Sequence, residues 1–140
     1  MTKPEVDQDE LEDFIGGGML KANEGHAFKL EITALALFGM EDLYRGQKGF
    51  FKKGNLNIWF PKINGEEYGN FISADGEYIL EYFDHTEEIN SKVRTNRITF
   101  CKFSDKYVFT GEYVALNVAR QEDRSLTIWK RIGTQFQSLI

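Results

Sequence analysis

The chain has 140 residues, 22 Asp plus Glu against 17 Lys plus Arg, and one Cys. This length fits one domain that buries roughly two thirds of its extended-chain surface, and 12 Phe, 6 Tyr and 2 Trp exclude wholesale disorder. One Cys excludes an internal disulfide and a cysteine zinc cage, no apolar run reaches the ~18 residues of a membrane span, and Met1-Thr2-Lys3-Pro4 leads into acids, not a signal core, so a cytoplasmic setting is expected.

Residues 1–13 hold six acids (Glu5, Asp7, Asp9, Glu10, Glu12, Asp13) and one Lys, while the remainder holds 16 of each sign. The chain is therefore divided into an acidic N-terminal segment, 1–13, and a single α+β domain, 14–140. The segment reads as a solvated helix start, with a phosphate-mimicking tail over a basic groove as the sharper reading. Only Val6 and Leu11 offer burial there, so it is expected to be dispensable for folding. Gly16-Gly17-Gly18 ends any helix and marks a hinge or tight turn; with no Gly-Lys-Ser/Thr after it, it is not a phosphate loop.

Phe28, Ile32, Leu35 and Phe38 recur at helical spacing, so 27–38 is predicted as a helix stopped by Gly39, although Phe28–Ile32 also alternates as a strand would. From residue 50 the period becomes two. Leu56–Phe60 reads as a strand closed by Pro61, and Asn64-Gly65 as a turn. Asn70–Ser73 and Glu77–Phe83 read as strands around the hairpin signal Ala74-Asp75-Gly76. Residues 84–96 read as loop. Arg97–Phe103, Tyr107–Leu116 and Leu126–Ile132 form an antiparallel meander. If Phe103 opposes Tyr107, then Arg97 faces Tyr113, Thr99 faces Gly111 and Cys101 faces Phe109. One face then carries Phe103, Tyr107, Phe109 and Tyr113, and the other Ile98, Phe100, Val108 and Val114. A sheet apolar on both faces is covered twice or rolled up, and Gly111 marks a bulge or bend. The expected fold is α+β: a small curled antiparallel sheet or barrel with a C-terminal three-stranded meander and one or two N-terminal helices.

The chemistry of catalysis is thin. His26 and His85 fall in no metal-ligand spacing. His85 in Asp84-His85-Thr86-Glu87 can serve as a general base only in principle and reads best as a loop residue; His26 reads as part of a helix lead-in. Cys101 lies within a strand and reads as a small hydrophobe. No Gly-x-Ser-x-Gly elbow occurs. Asp75, Glu77 and Glu81 imitate a nuclease carboxylate set, but a turn followed by a strand fits equally and no Lys follows in register. The sequence thus speaks against an enzyme more than for one, and implies no cofactor and no metal.

The cations say more. Arg45, Lys48, Lys52 and Lys53 alternate with Gly46, Gly49 and Gly54 around Phe50-Phe51. Glycines let the backbone approach phosphates, cations neutralise them and aromatics stack on bases. Arg94 and Arg97, with Lys92, form a second cluster, and Lys130 and Arg131 beside Trp129 a third; folding can align them in one stripe. Trp59 and Trp129 are candidates to stack on a base at a barrel mouth, or simply core. The alternative for the basic stretch is an ordinary solubilising loop anchored by Phe50-Phe51.

Trp59-Phe60-Pro61-Lys62, Asn70-Phe71-Ile72-Ser73-Ala74-Asp75-Gly76, Ile79-Leu80-Glu81, Arg97-Ile98-Thr99-Phe100-Cys101-Lys102-Phe103, Tyr107-Val108-Phe109-Thr110-Gly111-Glu112-Tyr113 and Trp129-Lys130-Arg131-Ile132 together resemble an accessory β-domain of bacterial restriction-type endonucleases. They are also similar to the small PUA-like barrels that include modified-base readers. The likeness spans 57–133, with Glu112 departing from the apolar residue expected after the glycine. No nuclease motif accompanies it. The resemblance implies a binding domain without a cutting domain and leaves its ligand open. The first reading is a non-catalytic module that binds DNA or RNA, or reads a modified base, in a bacterial or phage defence or counter-defence setting, with no membrane role. A second reading is a small acidic inhibitor or adaptor with a protein partner, acting on a nucleic-acid enzyme.

Overall fold

The computed structural model describes residues 4–46, 49–63, 70–83, 96–120 and 124–140. The acidic start is built into it. Asp7 caps α1 (Gln8–Leu11), accepting from the backbone N–H groups of Asp9 and Glu10, and its own N–H donates to Thr33 Oγ1 at 3.0 Å. Leu11 and Phe14 are buried in the main core. The expectation that residues 1–13 are dispensable is thereby corrected: Leu11 and the Asp7 cap tie the segment down. The glycines make the expected tight turn, since a Cβ on Gly18 would lie 2.2 Å from the Asp13 carbonyl oxygen.

The predicted helix over 27–38 is shorter than its periodicity. Ala27 and Phe28 form β2, paired with Val108 and Tyr107, and only Glu31–Ala36 is α-helical, as α2. Pairing to a strand edge overrides local helix propensity here. Gly39, at φ 66°, ends the segment as expected. Before it, β1 (Met19–Lys21) pairs with β10 (Gln135–Gln137) in a two-stranded ribbon.

The main sheet contains β3 (Phe50–Lys53), β4 (Leu56–Trp59), β5 (Asn70–Ile72), β6 (Tyr78–Phe83), β7 (Arg97–Phe103), β8 (Lys106–Arg120) and β9 (Ser125–Gly133), in the order β3-β4-β7-β8-β9-β6-β5 with β2 beside β8. Only β4 and β7 pair in parallel among these neighbours. After β4, the Pro61 carbonyl accepts from Lys102 N–H, Ile63 N–H donates to the Lys102 carbonyl, and Ile63 bridges Asn70. This short segment links β7 to β5, so the sheet curls round on itself. The α+β class, the curl and the meander are as expected.

The register carries one correction. Arg97 opposes Tyr113 and Thr99 opposes Gly111 as predicted, but Phe100 then opposes Phe109, leaving Thr110 as the extra residue of a bulge. Gly111 follows at φ 131°, and a Cβ there would meet the Gly133 carbonyl oxygen at 2.5 Å. One extra residue reverses side-chain parity. Cys101 therefore faces Val108, not Phe109, and the predicted face of Phe103, Tyr107, Phe109 and Tyr113 is split. Tyr107 and Phe109 join Ile98 and Phe100 in an outer core roofed by α1, α2 and the N-terminal segment. Tyr113 joins Cys101, Trp59, Ile79 and Trp129 in a second core inside the curl, with Phe103 packed against it.

Candidate nucleic-acid interface

The inner face of the curl contains an unusual amount of polarity. Asn70, Glu81 and Thr127 lie directly opposite one another across β5, β6 and β9, and strand alternation points all three inward. The next row inward is Ile72, Ile79 and Trp129, in the same strand order. Trp59 reaches this row from across the curl, its ring 5.5 Å from that of Trp129. Trp129 Nε1 donates to Glu81 Oε1 at 3.1 Å.

Arg97 completes the arrangement. Its guanidinium lies 4.1 Å from the Trp129 ring centre, 4.7 Å from Trp59 and 4.8 Å from Phe50, with Nη1 3.7 Å from Glu81 Oε1. Cation–π contact and one carboxylate offset part of the cost of burying the charge. Burial pulls the Arg97 pKa down, and Glu81 opposes the shift. Arg97 Nε has no partner, and neither do Asn70 Oδ1 and Asn57 Oδ1, although all three residues are buried. An unpartnered buried polar group costs about 1–3 kcal/mol. Asn70 Oδ1, in the row of Glu81, and Arg97 Nε offer one acceptor and one donor beside a fixed carboxylate and two indoles.

The residues predicted to bind nucleic acid are dispersed. Arg45 is exposed, its Nη1 donating to the Asp42 and Tyr44 carbonyls at 2.6 and 2.9 Å. Lys52 and Lys53 are exposed on β3. Lys48 and Arg94 lie outside the described residues, as does His85. Trp59, Arg97 and Trp129 converge inside the curl, with Trp129 fully buried, so they form the floor of the site and present no open ring to solvent. Lys130 and Arg131 are successive strand residues and point to opposite faces. The single basic stripe expected from the sequence is thus not formed by the described residues.

Arg131 has a structural task. It donates to the carbonyls of Thr110 (3.1 Å) and Asp75 (3.0 Å) and to Glu77 Oε1 (3.1 Å). Tyr113 OH donates to the Gly76 carbonyl at 2.6 Å. Together they fasten the 73–77 turn onto the Thr110 bulge. Glycine suits this junction because position 76 has φ 76°, a conformation that residues with a Cβ rarely adopt, and a Cβ would also crowd Arg131 Nη1 at 2.6 Å. Asp75 accepts from Ser73 Oγ and Glu77 N–H, which hold its carboxyl below the usual range. The carboxylates Asp75, Glu77 and Glu81 are therefore divided between a turn, an arginine clamp and the inner site. No group of three His, Cys, Asp or Glu that suits a metal ion occurs among the described residues. Cys101 is buried 3.4 Å from Thr110 Oγ1, and burial pushes its thiol up to about 12. His26 Nδ1 accepts from Lys21 N–H, within a turn.

Sequence reading missed Asn57, Asn70 and Thr127, and saw Glu81 only as one of a carboxylate set. Their signal is polarity at inward positions, visible once register is known.

A family model described as the SET and RING associated domain, SRA, matches residues 14–138. The chain belongs to the SRA family. The match extends the resemblance read over 57–133 to nearly the whole chain. Among solved structures, this SRA domain is similar to "The 5-Hydroxymethylcytosine-Specific Restriction Enzyme AbaSI", with a TM-score of 0.69 and 23% identity over 98% of the chain. The alignment covers 48% of that enzyme's chain, so the SRA domain spans about half of it. The restriction-type accessory fold expected from the sequence is therefore present. No curated protein matches the sequence. Among the described residues, no helix is long and apolar enough to cross a membrane.

Proposed function

We propose that this SRA domain binds DNA and reads a modified cytosine in the mouth of the curl, without cutting the strand. The observation that carries the reading is the inward polar row with its unpartnered atoms, Asn70 Oδ1 and Arg97 Nε, beside a carboxylate fixed by Trp129 and Arg97. An extruded cytosine offers an amino donor and ring acceptors along one edge, which suits a set combining carboxylate, amide oxygen and guanidinium. The similar restriction enzyme AbaSI is named as 5-hydroxymethylcytosine-specific, which supports that base as the first ligand to try. The same likeness supports a restriction or defence setting. Arg45, Lys52 and Lys53 are proposed to meet the phosphate backbone, a role for which their exposure on and before β3 suits them; Lys48 and Arg94 share that proposal on chemistry alone. Trp59, Arg97 and Trp129 are proposed as the floor of the base site, Lys130 as an outer-face contact and Arg131 as a positioning residue.

The test is an affinity comparison between one duplex containing a single 5-hydroxymethylcytosine and its unmodified twin, at two salt concentrations. Preference for the modified duplex, lost in Asn70→Ala, supports the reading. Equal affinity for both, or no binding at low salt, contradicts it.

A further inference from the structure

The inward row of the site extends one strand beyond its polar members. Across β5, β6, β9 and β8 it reads Asn70, Glu81, Thr127 and Val118, each directly opposite the next. Glu81 Oε1 is engaged by Trp129 Nε1 at 3.1 Å and lies 3.7 Å from Arg97 Nη1. Thr127 is 2% exposed, yet among the described residues no hydrogen bond takes up its hydroxyl. Thr127 thus stands between a carboxylate and an apolar side chain, with Oγ1 uncommitted. Strand propensity accounts for a β-branched residue at this position but not for the hydroxyl, because valine has the same branch. A buried hydroxyl with no partner is a cost that valine avoids, and a bound ligand removes it by supplying the partner.

We propose that Thr127 is the residue that distinguishes a 5-hydroxymethyl from a 5-methyl cytosine. Its Oγ1 exchanges a hydrogen bond with the hydroxyl of the substituent, while Val118 covers the methylene. The inference rests on the base-reading role proposed above and assigns the part of the site that meets the 5-substituent. The order of groups along the row matches the order around the ring. A carboxylate accepts from the cytosine amino group, which suits Glu81. The 5-substituent is the ring neighbour of that amino group, and Thr127 is the row neighbour of Glu81, at the about 4.5–5.5 Å between Cβ atoms that opposed strand residues have. A hydroxyl both donates and accepts, so two hydroxyls satisfy each other. A methyl group does neither and leaves Oγ1 unpaired. Sites that bond a ligand hydroxyl reject the analogue lacking it far more strongly than an apolar pocket sorts alkyl groups by size.

The test is competition binding on the full chain with three duplexes that differ at one cytosine: unmodified, 5-methyl and 5-hydroxymethyl. The wild-type chain should bind the hydroxymethyl duplex most tightly. Thr127→Val should lower the hydroxymethyl-to-methyl affinity ratio about tenfold, and Thr127→Ser, which keeps the hydroxyl, should retain it. Thr127→Ala also lacks the hydroxyl and provides a second variant should valine disturb folding. A ratio unchanged in both hydroxyl-free variants would overturn the proposal. So would affinities for the two modified duplexes that fall in equal proportion, since that is the mark of a structural role. A wild-type chain that prefers both modified duplexes equally over the unmodified one would overturn this assignment and leave the base-reading role standing. Equal affinity for all three duplexes would overturn both.

Discussion

The two cores of this domain differ in kind. The outer core, beneath α1 and α2, is made of aliphatic and aromatic side chains, with Phe28, Phe38, Phe60 and Phe109 all packed around Phe100 at ring separations of 5.5–6.1 Å. The inner core has five buried hydrophobics and is edged by Arg97, Glu81, Asn70 and Thr127. The first core maximises area removed from water. The second accepts unpartnered polar atoms that an apolar core of the same shape would lack. The difference is one of degree, since the outer side also buries Glu31, whose Oε2 has no partner; the proposed base site is set in the core edged by more such groups.

The sharpest way to break the contrast is to mutate both. Phe100→Ala should destabilise by about 3–5 kcal/mol through cavity formation, read as a lower urea midpoint. Glu81→Leu should cost about 3 kcal/mol, because it strands the Arg97 charge. The double variant Glu81→Leu, Arg97→Met should recover most of that loss while abolishing base preference. A double variant no more stable than the single one would show that the inner polar pair is structural, and the contrast would fail.

A smaller effect separates the cores by pH. Glu31, buried at the head of α2, accepts from Gly49 N–H at the entry to β3. Desolvation lifts its pKa to about 7, against the opposing pull of Lys102 and Lys62. Its folded value lies above its ordinary 4.5, so its contribution to stability is fully present below 4.5 and lost as pH rises through about 7. The expected loss is about 1–3 kcal/mol between those limits. Glu31→Gln should flatten this slope in denaturant titrations. A slope unchanged in the variant would remove Glu31 from the account.

Much of this was legible in the strand half. The Ala74-Asp75-Gly76 turn, the three-stranded meander and the irregularity at Gly111 follow from local turn chemistry and period-two alternation. Facing was not legible, because a single extra residue at Thr110 reverses parity and sends Tyr107 and Tyr113 to different cores. The N-terminal segment misled for a related reason: Leu11 and Phe14 look isolated among acids until α2 and β2 supply partners. The candidate site, as proposed here, was half legible. Trp59, Arg97 and Trp129 were named from side-chain chemistry, whereas Asn70 and Thr127 are ordinary polar residues until the curl sets them beside Glu81. Among the described residues the cations form no single stripe, because Lys130 and Arg131 alternate across a strand and Arg97 is drawn inside by two indoles.

The central claim is that the inner polar row receives a modified base, and the Trp129 indole N–H reports on it directly through its bond to Glu81. In a ¹H–¹⁵N correlation spectrum, with the peak assigned from Trp129→Phe, a duplex carrying one 5-hydroxymethylcytosine should shift this resonance at a concentration where the unmodified duplex leaves it in place. An indole resonance unmoved by both duplexes, or moved equally by both, would contradict the account.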